Sequence, residues 1–283
     1  MVTSQRFTLI AAFMTAIASS PVFSETLQGA VDKTLKQNPE VLAEANRRYS
    51  VDKTVDQARA GYYPRVDLTL GIGFERTKNP ATRPGHESLS RGEAEIEATQ
   101  MLYDGFATKS AVEQTQAQAN SAGYSVTDLS ESIGLNTVQS YLDVMKRQQL
   151  LENTQANLIQ HEKIFDKIKL RTDAGVGNRS DLDQTTGRVA LAEANLRSTE
   201  GNLKDAETRY ERLVGQAPEA LTDPGMSCCD SAPAKVEDAI QIAYRQHPAL
   251  WAAMSDHEAS LAQQEGAKAP FHPQVRADLS ARA

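Results

Sequence analysis

The sequence predicts an α+β membrane protein with a two-fold internal repeat. Long α-helical hairpins alternate with strands of a transmembrane β-barrel shared between chains. Three observations carry this. Residues 27–70 are rewritten as residues 236–279, without gaps: Ala30/Ala239, Gln37/Gln246, Pro39/Pro248, Ala43/Ala252, Ala58/Ala267, Pro64/Pro273 and Leu70/Leu279 are identical. No proline occurs between Pro84 and Pro218, which leaves room for very long helices. Two segments alternate apolar and polar residues over about 10 positions each, the length a tilted strand needs to cross a bilayer.

Residues 1–24 read as an export signal. Arg6 supplies the positive charge, residues 7–18 form a short apolar run, and Val22 and Ser24 place cleavage before Glu25. That run is shorter than the roughly 20 apolar residues of a spanning helix. The first structural repeat is expected over 25–235 and opens with a helix at 27–60. Strands follow at 65–75, where Val66, Leu68, Leu70, Ile72 and Phe74 share one face, and at 92–102, where Ala94, Ile96, Ala98 and Leu102 share one face interrupted by Gln100. The turn at Tyr103, Asp104 and Gly105 leads into a helix at 106–173, about 100 Å long at 1.5 Å per residue, with Val144, Leu151, Leu158 and Phe165 in heptad register.

A tip turn at 174–179 separates this helix from the next, at 180–214. Gly175 and Gly177 allow the reversal, Val176 is an apolar knob on the bend, and Ser180 or Asp181 is the expected cap. Leu182, Val189, Leu196, Leu203 and Tyr210 form a large heptad row, and Thr185, Ala192, Thr199, Ala206 and Leu213 form a small one beside it, the pattern of a close coiled-coil seam. Gly187, Ala194 and Gly201 make a further small row and suggest a second close neighbour. A linker at 216–235 precedes the start of the second repeat at 236–283, where Val275, Ala277 and Leu279 begin a third strand.

Alternation of this kind most often marks a soluble hairpin with one face on a core. Here the helices have seams of their own and no other segment is suited to cover the apolar face. Lipid covers it, on this argument, and a sheet in lipid must close on itself because each open N–H or C=O costs several kcal/mol. Two strands in each of two repeats give four, which is too few for a barrel, so several chains must share one. The polar face then turns to the lumen, with Asp67, Glu93, Glu95 and Glu97 on it. Asp173, Asp181 and Asp183 crowd the tip and suit either a tunnel mouth or helix capping and solubility.

Composition excludes several classes. A net charge of −7 and the lack of a basic, aromatic-interleaved patch argue against nucleic acid. The two cysteines, Cys228 and Cys229, are adjacent, which is too few for a disulfide framework and compatible with a strained vicinal pair. The five histidines lie without partners at ligand spacing, and no hydrolase, phosphate-loop or redox signature occurs. No enzymatic activity, cofactor or metal is expected.

Asn38-Pro39, the lead-in Gly61, Tyr62, Tyr63, Pro64, the motif Leu102, Tyr103, Asp104, Gly105 opening a long helix, and the tip segment 171–184 together resemble the TolC family of outer-membrane efflux and secretion channels. The resemblance covers nearly all of residues 26–283. It implies a homotrimer whose protomers share a twelve-strand barrel in the outer membrane and a periplasmic helical tunnel, with 216–235 in an equatorial belt. It also implies a periplasmic adaptor docking at Gly175, Val176, Gly177, Ser180 and Leu182, and an inner-membrane pump as partner. A hairpin of any kind needs such a turn, so the tip residues also have a purely architectural explanation. The pattern departs from the family in lacking the second half's remaining strand, long helix and tip, where the family's constricting acids tend to lie; the chain reads as a fragment or truncated product. The competing expectation is a periplasmic coiled-coil adaptor or scaffold that never enters a membrane.

Overall fold

In the computed structural model, residues 25–77, 87–225, 233 and 235–283 are described. The export signal at 1–24 and Cys228 and Cys229 lie outside them. The chain runs α1 (Leu27–Gln37), α2 (Pro39–Arg59), β1 (Arg65–Thr77), β2 (Glu87–Tyr103), α3 (Ala107–Asp173), α4 (Arg179–Val214), α5 (Val236–Gln246), α6 (Pro248–Gly266) and β3 (Val275–Arg282).

The single helix expected over 27–60 is two helices. A residue before proline is pushed from the helical to the extended region, and Asn38 sits at φ −64°, ψ 125°. Its side chain then accepts the Glu40 N–H at 2.9 Å, capping α2 with Pro39 in the first turn. The second repeat breaks at the same place: His247 precedes Pro248, and its Nδ1 accepts the Ala249 N–H at 3.2 Å. The two strands are also longer than expected, because antiparallel pairing runs from Arg65↔Thr99 to Thr77↔Glu87.

α3 is the spine against which the other helices pack. Near the sheet it is flanked by α2 and α6, and beyond its middle it pairs with α4 along the heptad seam. Where α1, α3 and α4 converge, Ala30, Tyr141, Val144, Ala206, Tyr210 and Val214 form the core, all at most 1% exposed. Burial of each large side chain there contributes about 1.5–3 kcal/mol. The large and small rows work as the spacing implied: Thr185, Ala192, Ala206 and Tyr210 are buried residues of α4.

Tyr141 ties this core to the linker. Its hydroxyl accepts the Thr222 N–H at 2.8 Å and lies within donating distance of the carbonyls of Glu25 and Thr222, at 2.8 and 2.7 Å. Glu25 and Leu221 pair as a short parallel bridge, so the start of the repeat and the start of the linker are pinned together. Burial, with the Glu25 carboxylate close by, pushes the Tyr210 hydroxyl well above the ordinary phenol range. Tyr141 is raised for the same first reason.

The strand-to-helix junction depends on two left-handed residues, Gly105 at φ 68° and Phe106 at φ 69°. The Asp104 carboxylate accepts from the Thr108 N–H at 2.7 Å and its hydroxyl at 2.5 Å, capping α3. Burial alone would raise the Asp104 carboxyl, but these hydrogen bonds outweigh it and hold the group below its usual value. Gly105 lies against the second repeat: a Cβ there would fall 2.7 Å from both the Ala269 carbonyl oxygen and the His272 Cβ. Gly105→Ala should therefore cost about 1–3 kcal/mol through strain and collision, read as a lowered midpoint in denaturant unfolding.

Asp143 on α3 accepts from Arg147 Nε at 3.3 Å and from Arg209 on α4 at 2.9 Å. Burial raises its carboxyl, yet the two guanidinium groups more than offset this and leave it below the ordinary value. A depressed folded-state pKa contributes stability above the unfolded value, and that contribution is lost as pH falls through the folded value. Asp143→Asn should lower stability at pH 7 by up to about 1 kcal/mol, a modest figure because the pair is partly exposed. The difference from the parent chain should vanish in acid, below both values, when unfolding is followed across pH.

Candidate membrane-facing sheet and hairpin tip

β1, β2 and β3 form one antiparallel sheet in that order, with β2 central. Side chains on paired positions share a face, so the register sorts the residues. Val66 opposes Ala98, Leu68 opposes Ile96 and Leu70 opposes Ala94, while Ala98 also opposes Leu279 and Ile96 opposes Ala281. This face is apolar and uncovered: Ile72 and Phe74 are each 90% exposed, Leu279 76% and Leu70 71%. Gln100, which interrupts the apolar face, donates to the carbonyls of Tyr62 (3.2 Å) and Met101 (2.9 Å).

The opposite face is charged. Asp67 pairs with Glu97, Thr69 with Glu95 and Gly71 with Glu93, so the four acids predicted to face a lumen lie on one side of the sheet. Like charges directly opposite destabilise a sheet. Cations offset them: Arg65 bridges Asp67 at 2.8 Å, Arg91 bridges Glu93, and Arg282 on β3 bridges Glu95 at 2.8 Å. Arg282 and Arg276 were missed in the sequence reading. The period-two run Arg276, Asp278, Ser280, Arg282 is the signal that marks them as polar-face residues.

Asp173 and Asp181 do not join this group. They sit at the far end of α3, about 100 Å away by its 67 residues. There Gly175, at φ 74°, closes α3: its N–H reaches the Thr172 carbonyl at 2.9 Å and the Val176 N–H reaches Arg171 at 3.0 Å. This is the paired hydrogen-bond pattern of a left-handed helix stop. Gly177 is needed for a different reason, since a Cβ there would stand 2.7 Å from the Thr172 nitrogen. The cap of α4 is neither Ser180 nor Asp181 but Asn178, whose side chain accepts the Ser180 N–H at 3.0 Å. An Asn two residues before Ser180 satisfies one of the free amides of the first turn and leaves Ser180 and Asp181 within that turn. Val176 is 71% exposed and Leu182 is half-buried, so the bend presents one apolar knob to solvent.

The small row Gly187, Ala194 and Gly201 is exposed, and nothing lies within 4 Å of a Cβ built on either glycine. The second neighbour it suggests is not supplied by the described residues of this chain. No helix among them is long and apolar enough to cross a membrane.

The chain thus joins a helical hairpin built on a spine to a sheet that is apolar on one side and charged on the other. The chain belongs to the outer membrane efflux protein family, whose pattern it matches over residues 30–216. It is 27% identical to the outer membrane efflux protein BepC of Brucella suis over 84% of this chain and 50% of that protein. It is 24% identical to the outer membrane protein TolC of Vibrio cholerae over 70% of this chain and 44% of that one. The chain thus spans about half the length of the curated relatives it matches. The crystal structure of CusC superposes with a TM-score of 0.80 at 15% identity, covering 93% of this chain and 61% of CusC, which shows the shared fold.

The two faces of the sheet make a direct prediction. If the apolar face meets lipid, arginine at Ile96 on that face should oppose membrane insertion by about 2–4 kcal/mol, whereas arginine at the neighbouring Glu95 should cost little. Heat-modifiable mobility of the two variants in detergent-extracted membranes checks this, and equal insertion would reverse the assignment of faces.

Proposed function

We propose that the chain is a subunit of an outer-membrane channel serving a tripartite efflux or type I secretion apparatus, acting as a trimer and without enzymatic chemistry. The observation that carries it is the apolar face of a sheet that no other described residues cover and whose two outer edges pair with no further described strand. Thirteen residues in β1 extend about 43 Å at 3.3 Å per residue, and a tilt near 45° brings that to roughly the 30 Å of a hydrocarbon core. A periplasmic scaffold has no use for such a surface, and in water it would be an aggregation edge.

In the proposed assembly, the outer edges of the sheet pair with further strands until the wall closes. The charged face lines the lumen with both signs of charge. The helices form the periplasmic tunnel, and the exposed small row of α4 is where a neighbouring helix approaches closely. The second repeat supplies the same elements again: α5 corresponds to α1, yet its Val236 and Tyr244 are 70% and 67% exposed, whereas Ala30 of α1 is fully buried. A second hairpin, the counterpart of α3 and α4, covers that face in the complete wall. The bend at Gly175, Val176, Gly177, Ser180 and Leu182 is the proposed contact for an adaptor that links the tunnel to an inner-membrane pump.

Val176→Asp should abolish export in cells while the protein still resists carbonate extraction and runs as a trimer. Normal export by this variant removes the docking role from the tip. Release of the parent chain by carbonate as a monomer would sink the channel reading itself and favour a soluble scaffold.

A further inference from the structure

Between α3 and α4, on the side of the core away from the tip, lies a solvent-open cavity of about 390 Å³. Its α3 wall is a continuous polar stripe, Asn136, Gln139, Ser140 and Asp143, spaced so that all four share one helix face. Its α4 wall presents Arg209 and Arg212, three residues apart and so also on one face. Of the lining residues only Leu213 belongs to a heptad row; the four polar residues of α3 belong to none.

We propose that this cavity is an oxyanion site, taking the carboxylate or phosphate group of a small molecule or headgroup. The charge balance favours an anion: Asp143 is the lone carboxylate of the lining, and it is already held by Arg209 and by Arg147. Arg212 has no ion pair among the described residues. It is not engaged by the end of α4, where the Leu213 carbonyl accepts from Asn38 at 3.3 Å and the Glu211 carbonyl accepts from Gly215 at 2.8 Å.

Ser140 gives a second, independent indication. Its Oγ is buried and has no hydrogen-bond partner among the described residues. A mid-helix serine ordinarily returns its hydroxyl to the carbonyl four residues back, as Thr137 does to Ile133 at 2.8 Å. Leaving a buried hydroxyl unpaired is costly, and such groups in native structures are matched by water or ligand. A guanidinium fork, a hydroxyl and the side-chain amides of Asn136 and Gln139 are together the donor set that carboxylate and phosphate oxygens require. The site stands apart from the sheet and the tip, so it does not depend on the channel reading.

The test follows the unfolding temperature of the purified full chain in detergent during titration with sodium phosphate or sodium acetate, against sodium chloride at matched ionic strength. A saturable rise with phosphate, acetate or both is expected, and the two arms tell which oxyanion the cavity prefers. Arg212→Gln should weaken the midpoint of that response about tenfold or more, and Ser140→Ala several-fold, with both variants as stable as the parent in chloride alone. Because Ser140→Ala removes an unpaired group, it remains an informative variant even if the arginine change perturbs the end of α4. A response no greater than that of chloride, or full retention of it by both variants, overturns the proposal and leaves water as the sole occupant.

Discussion

Backbone hydrogen bonding in hydrocarbon is the constraint from which the architecture of this chain follows. A strand in water can leave its edge to solvent, but a strand in lipid cannot, and each open group costs several kcal/mol. Among the described residues, no helix covers the apolar face of β1–β2–β3 and no further strand pairs with either outer edge. A sheet of this kind is stable only as an arc of a larger closed wall. Trimerisation, a shared lumen and a position in the outer membrane are the proposed consequences of that single requirement.

The helices answer a different demand. Their job is length, and a 67-residue helix has little to stabilise it alone, since isolated helices rely on packing of one face. α3 obtains that packing in segments: α2 and α6 near the sheet, α1 in the middle and α4 toward the tip. Tyr141 is placed where three of these meet, and its hydroxyl binds the linker that leads to the second repeat. The same neighbourhood carries the polar cavity with Ser140 and Arg212, so the middle of the spine combines a tight apolar core with a polar, solvent-open groove.

Much of this was legible in the residues. The period of two in Val66, Leu68, Leu70 and Ile72 identified a face, and pairing with Ala94, Ile96 and Ala98 placed those apolar residues together. The heptad rows of α4 named its buried residues, Ala192, Ala206 and Tyr210 among them. Local rules were legible and partly misapplied: Pro39 restricts the residue before it, so one expected helix became two, and Asn178 rather than Ser180 took the cap. In both cases a short-range preference competed with a long periodic pattern and won within one or two residues.

What the sequence determined by itself is what depends on near neighbours along the chain: strand and helix periods, the repeat, the glycine bend, and which side of each element is apolar. What only the tertiary structure decided is what depends on distant partners. Arg282 meeting Glu95, Gly105 pressed against Ala269, Tyr141 joining Glu25 to Thr222, and the shared cavity of Ser140 and Arg212 arise from segments far apart in number. Periodicity specifies a direction for each side chain, but register and helix packing choose what stands in that direction.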